Sequence, residues 1–108
     1  MSDTTPEIDV EQFAHAQDAT VIDVREAAEY AQGHVPGARL VPMGQLPSHV
    51  ENLNRDEPVY VICASGNRSA AMTDLLTQSG IDAYSVSGGT TAWADSGRPM
   101  ATGTHPTG

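Results

Sequence analysis

Three short apolar runs recur along this chain: Ala19-Thr20-Val21-Ile22-Asp23-Val24, Val59-Tyr60-Val61-Ile62 and Ala83-Tyr84-Ser85-Val86. Each reads as a strand, and the unbroken apolar centre of the first points to burial on both faces. Between them lie segments that read as helices. One is Glu26 to Gln32, ended by Gly33; another starts at Ala70 and runs to about Ser79, closed by Gly80. Strands alternating with helices predict an α/β fold with a mostly parallel central sheet.

Weaker signals fill in the rest. Asp9 is placed to cap a helix over Val10 to Gln17, with Gln12 completing a capping box and Val10, Phe13, Ala14 and Gln17 sharing one face. Ala38 to Val41 reads as a further short strand, Leu46 to Leu53 holds a weak helix, and Gly88-Gly89 turns into a last helix over Thr90 to Asp95. A chain of 108 residues suits one domain, here placed at 7–99. Residues 1–6 are expected to be a flexible lead and 100–108, within a stretch rich in Pro, Gly and Thr, a disordered tail.

The formal charge of -9, with five arginines and no lysine, argues against nucleic acid or an anionic membrane as partner. It also removes Schiff-base chemistry. No apolar run reaches membrane-span length, and the acidic start Met1 to Glu7 is unlike a signal peptide. One cysteine allows no internal disulfide framework and fits a reducing compartment, so a cytoplasmic location is expected.

That cysteine, Cys63, stands at a strand end and opens the run Cys63-Ala64-Ser65-Gly66-Asn67-Arg68-Ser69 before a helix. Such a junction suits an anion on sulfur, because loop amides converge there and the helix dipole adds partial positive charge. A free thiol with a pKa of about 8.5 is mostly protonated at neutral pH, and the thiolate is the nucleophile. Gly66 and Asn67 suit a loop that must visit positive φ to aim its amides inward, and Ser65 and Ser69 add hydroxyl donors. The alternative is a small buried cysteine that happens to end a strand.

Three separated motifs resemble the rhodanese (sulfurtransferase) family over about Ile8 to Pro99. They are Asp23-Val24-Arg25 with Glu29-Tyr30-Ala31-Gln32-Gly33-His34-Val35-Pro36-Gly37-Ala38, the Cys63 to Ser69 loop, and Gly88-Gly89-Thr90-Thr91-Ala92-Trp93 followed by Gly97-Arg98-Pro99. The resemblance implies a parallel sheet with helices on both faces and a loop wrapped around Cys63. It also implies a reaction: the Cys63 thiolate takes a sulfane sulfur from a donor such as thiosulfate or a persulfide, and the resulting persulfide passes it to cyanide or a thiol, with a protein acceptor as a further option. No metal or organic cofactor is expected.

Several residues carry two readings. Arg68 either attracts an anionic donor or braces the loop by pairing with an acid such as Glu29. Asp23 either orients the loop or simply closes a strand-end turn. Arg25 and Glu29, four apart, are expected to pair with each other. The family often places a basic residue directly after the cysteine, and here that position is Ala64, which favours a physiological donor other than thiosulfate. His34 reads as a turn residue, Trp93 as core, and Gly88-Gly89 as a close chain approach. His15, His49 and His105 are scattered and suggest no metal site.

Three rival functions share these features. A persulfide carrier or redox-sensing module would use the same loop to serve a partner protein. An inactive rhodanese-like binding domain would not need Cys63. A cysteine phosphatase also uses a loop thiolate and an arginine, but its loop is one residue longer than the four residues between Cys63 and Arg68.

Overall fold

A computed structural model describes residues 4–16 and 19–107. Its strands are β1 (Glu7–Ile8), β2 (Thr20–Asp23), β3 (Arg39–Leu40), β4 (Val59–Ile62) and β5 (Ala83–Val86). They form a parallel sheet in the order β1-β5-β4-β2-β3. Its α-helices are α1 (Val10–Ala14), α2 (Ala27–Gln32), α3 (Asn67–Gln78) and α4 (Gly89–Asp95), with a 3-10 helix at Leu46–Asn52. No helix among the described residues is long and apolar enough to cross a membrane.

The two-residue alternation of a strand divides the core. Val59, Val61 and Cys63 point to one face, where they pack with Ile22, Leu46 and Leu76 and with Met72 and Leu75 of α3. Tyr60 and Ile62 point to the other, against Phe13 of α1 and Trp93 of α4. Burying each large apolar side chain contributes about 1.5–3 kcal/mol, so both faces must be covered for the sheet to persist. Central β4 pairs in register with β2 (Asp23 beside Ile62) and with β5 (Val61 beside Ser85). The carboxyl ends of the strands therefore bring Asp23, Cys63 and Val86 to one rim.

Some elements differ from the sequence expectation. The Asp9 and Gln12 capping box forms as read, but α1 stops at Ala14, and Gln17 lies outside the described residues. α3 begins at Asn67 instead of Ala70, which makes the second half of the Cys63 run its first turn. β1 has no counterpart in the sequence reading, because two residues carry no periodicity.

Where described, both ends of the chain make hydrogen bonds to the rest of the domain. Pro6 accepts a hydrogen bond from the Ser85 amide at 2.9 Å, and the Thr5 hydroxyl donates to the Asp74 carboxylate. Met1 to Asp3 lie outside the described residues. Residues 100–107 run back over α2. Ala101 exchanges backbone hydrogen bonds with His34, Gly103 donates to Ala31, and Pro106 accepts from Gly37. The His34 ring is buried, stacks on Tyr30, and sets Nδ1 at 2.8 Å from the Tyr30 carbonyl and Nε2 at 2.9 Å from that of His105. The tail is held through its own main chain, which composition does not reveal. Gly108 lies outside the described residues.

Candidate active site

β4 delivers Cys63 to the face that α3 covers, and the chain then turns back over the sulfur. The amides of Gly66 and Ser69 donate to Sγ at 3.1 and 3.3 Å, and the Ser69 hydroxyl lies 3.5 Å away. Gly66, with φ +110°, is the residue at the N-terminal cap of α3. That left-handed conformation, which L side chains resist, is what aims its amide inward. No acidic residue occupies the first turn of α3, so nothing there offsets the positive end of its dipole. Burial pushes the Cys63 thiol up, but the Ser69 hydroxyl and the amides of Ser69, Gly66 and Ser65 outweigh it and hold its pKa below the ordinary value.

A second helix fixes the loop from behind. The Thr90 and Thr91 amides, at the start of α4, donate to the carbonyls of Cys63 and Ala64 at 2.8 and 3.0 Å. Loop carbonyls are thereby turned away from the sulfur while loop amides face it. Gly89 sits directly against this contact: a Cβ there would overlap the Cys63 carbonyl oxygen and lie 2.7 Å from that of Ala64. The expected close approach at Gly88-Gly89 is therefore a contact with the Cys63 loop itself.

The charged residues settle into two pairs. Arg68 forms a bidentate pair with Glu29 of α2, at 2.8 and 2.9 Å, and so braces α3 against α2. Asp23 is fully buried and accepts from the backbone amide and guanidinium of Arg25, whose Nη2 also donates to the Gly33 carbonyl at 2.8 Å. The expected Arg25–Glu29 pair does not form. Arg25 precedes α2, so helical spacing does not bring it beside Glu29, and the carboxylate of Asp23 is nearer. A cavity of about 320 Å³ beside these pairs is lined by Arg25, Glu29, Gln32, Gly33 and Met100.

Cys63 is only 1% exposed, deeper than a residue at a loop mouth. Asn67 and Ser65 are exposed, whereas Ala64 and Gly66 are half-buried. Ser85 of β5 was not among the candidates, yet its hydroxyl lies 2.7 Å from that of Ser69. A serine among the apolar residues of a strand is the signal the sequence carries; the register that sets it beside α3 is not in the sequence. A larger cavity, about 450 Å³, is lined by Phe13, Val21, Val35, Trp93 and Arg98 and includes no residue of the Cys63 loop. Among the described residues no His, Cys, Asp and Glu side chains gather into a metal-binding group.

The Arg68–Glu29 brace carries a pH signature. Hydrogen bonding from Arg68, then from the Glu26 amide, lowers the Glu29 carboxyl from 4.5 to about 2. A depressed carboxyl stabilises the fold above its unfolded value, and that contribution is lost as pH falls through the folded value. Each partner is about one-third exposed, which limits the effect to about 0.5–1 kcal/mol. Glu29→Gln is expected to lower the unfolding temperature slightly at neutral pH. The gap from wild type should close between pH 4.5 and about 2, measured by thermal melts across that range. A gap independent of pH would mean the pair does not contribute.

Known proteins resemble this chain in sequence and in fold. The family model of the rhodanese-like domain matches residues 8–96. A sulfurtransferase of Allochromatium vinosum is 35% identical over 91 residues, covering 83% of this chain and 85% of that protein. The Bacillus subtilis protein YrkF, named as a sulfur carrier, is 34% identical over 79 residues; the match takes in 69% of this chain but 43% of that longer protein. Among solved structures, a rhodanese-related protein of Thermoplasma volcanium superposes with a TM-score of 0.83 at 34% identity, covering 89% of this chain and 97% of that one. The chain belongs to the rhodanese-like family of sulfurtransferases and sulfur carriers.

Proposed function

We propose that this chain moves a sulfane sulfur from a donor, through a persulfide on Cys63, to cyanide or a thiol. The observation that carries the reading is the pair of amides and the hydroxyl directed at Sγ. They favour the thiolate that attacks, and they favour the same charge when it sits on the outer sulfur. With thiosulfate, the thiolate attacks the sulfane sulfur, the S–S bond to sulfite breaks, and sulfite leaves with the electron pair. Cyanide then attacks the outer sulfur of Cys63–S–S⁻, taking it as thiocyanate and returning the thiolate.

Asp23, Arg25 and Glu29 take supporting roles in this reading: they hold the loop and α2 in place and do not touch the sulfur. Arg68 is paired with Glu29, Arg25 with Asp23, and Ala64 adds no charge. Capture of a dianion such as thiosulfate therefore has little local help, which favours a persulfide as physiological donor. Phosphatase chemistry fits poorly, because only four residues separate Cys63 from Arg68, one fewer than in a cysteine phosphatase loop, and Arg68 is engaged with Glu29.

The likeness to YrkF supports a second reading, in which Cys63 holds the persulfide for delivery to a partner protein. One experiment addresses both. The protein is incubated in turn with thiosulfate, polysulfide and a glutathione persulfide, desalted and weighed intact. A gain of one sulfur atom, reversed by cyanide or a small thiol, is expected. No gain from any donor would overturn the proposal. Loading followed by slow turnover with every small acceptor would select the carrier.

A further inference from the structure

The Ser69 hydroxyl is placed among three groups: Cys63 Sγ at 3.5 Å, the Gly66 carbonyl at 3.2 Å and the Ser85 hydroxyl at 2.7 Å. It carries a single proton, so it cannot donate to all of them. Ser69 and Ser85 are both fully buried, which leaves protein groups and not bulk water to set the direction of these bonds. We propose that Ser85 is a positioning residue for Cys63: its hydroxyl donates to Ser69 and commits the Ser69 proton to the sulfur.

The argument concerns where each proton points. With a protonated thiol, S–H donates to Ser69, and the Ser69 proton turns to the Gly66 carbonyl. Once the sulfur is an anion it can only accept, so the Ser69 proton must turn towards it. The Gly66 carbonyl remains satisfied by the Ala70 amide at 3.1 Å. A proton from Ser85 then fills a lone pair of Ser69 and polarises its O–H bond, because hydrogen bonds in a chain strengthen one another at low dielectric. A strand of the core thus reaches the sulfur through one intermediate hydroxyl. On the elements packed around the loop, Arg68 of α3 interacts with Cys63 and is paired with Glu29 of α2, and Asp23 at the end of β2 is paired with Arg25. Replacing Ser85 leaves these in place.

The inference rests on Cys63 being the reacting thiol, but its test needs no sulfur donor, so it stands or fails separately from sulfur transfer. Iodoacetamide alkylation of the single cysteine is followed against pH in wild type, Ser85→Ala, Ser69→Ala and the double variant. Ser85→Ala is expected to move the midpoint to higher pH. The rate below the midpoint should fall about two- to fivefold, with the plateau at high pH unchanged. The double variant should match Ser69→Ala alone, since a residue acting through Ser69 has no effect once that hydroxyl is gone. An unchanged midpoint in Ser85→Ala would overturn the proposal. So would a further shift in the double variant, which would mean Ser85 acts by another route.

Discussion

Cys63→Ser is expected to abolish sulfur transfer, with a loss of about 10⁴-fold or more, as removal of an enzyme nucleophile does. The hydroxyl would be neither ionised at neutral pH nor able to hold a sulfane sulfur. The fold should be little affected, because serine Oγ can accept from the Gly66 and Ser69 amides that now face the sulfur. Cys63→Ala is the less clean variant. It strands the buried Ser69 amide and the half-buried Gly66 amide, at a cost of about 1–3 kcal/mol. Steady-state thiocyanate formation, with melting curves of both variants, checks the result. Appreciable turnover by Cys63→Ser would sink the proposed mechanism.

Gly89→Ala should damage both fold and site, although the residue contacts the backbone of the loop and not the sulfur. Its φ is +58°, a conformation that costs an L residue about 1–2 kcal/mol. The added methyl also overlaps the Cys63 carbonyl and crowds that of Ala64, and overpacking of this kind costs about 1–3 kcal/mol more. A domain of this size loses roughly 4–8 °C of melting temperature per kcal/mol, so a fall of 10 °C or more is expected. Relief would come from pushing the loop forward, which moves the Gly66 and Ser69 amides off the sulfur and slows alkylation of Cys63. A variant that melts and alkylates like wild type would show that the loop absorbs the methyl without cost.

The strands that form the middle of the sheet were legible because they are dense in apolar residues: β4 and β5 occupy the residues read as strands, Val59–Ile62 and Ala83–Val86. The start of α3 was not, since Gly66 caps without a side chain and Asn67, Arg68 and Ser69 resemble loop residues. Charge pairing was half legible. Arg68 with Glu29 was one of two readings, but the Arg25 partner depended on its standing outside α2, which begins two residues later at Ala27. Ser85 escaped notice because its role comes from the register of β4 and β5, and pairing between distant strands leaves no local mark.

The strand order carries one consequence for how the chain reaches this state. Among the described strands β1 pairs with β5, far along the chain from it, and the loop around Cys63 is locked from behind by α4, which follows β5. Such non-local closure is slow compared with local helix formation. During synthesis the cysteine emerges well before the segments that enclose it, so the nascent chain passes through an interval with an unshielded thiol. The brace from α4 is thus closed late, and until then the Gly66 and Ser69 amides have only the local order of the loop and of the start of α3 to keep them on the sulfur.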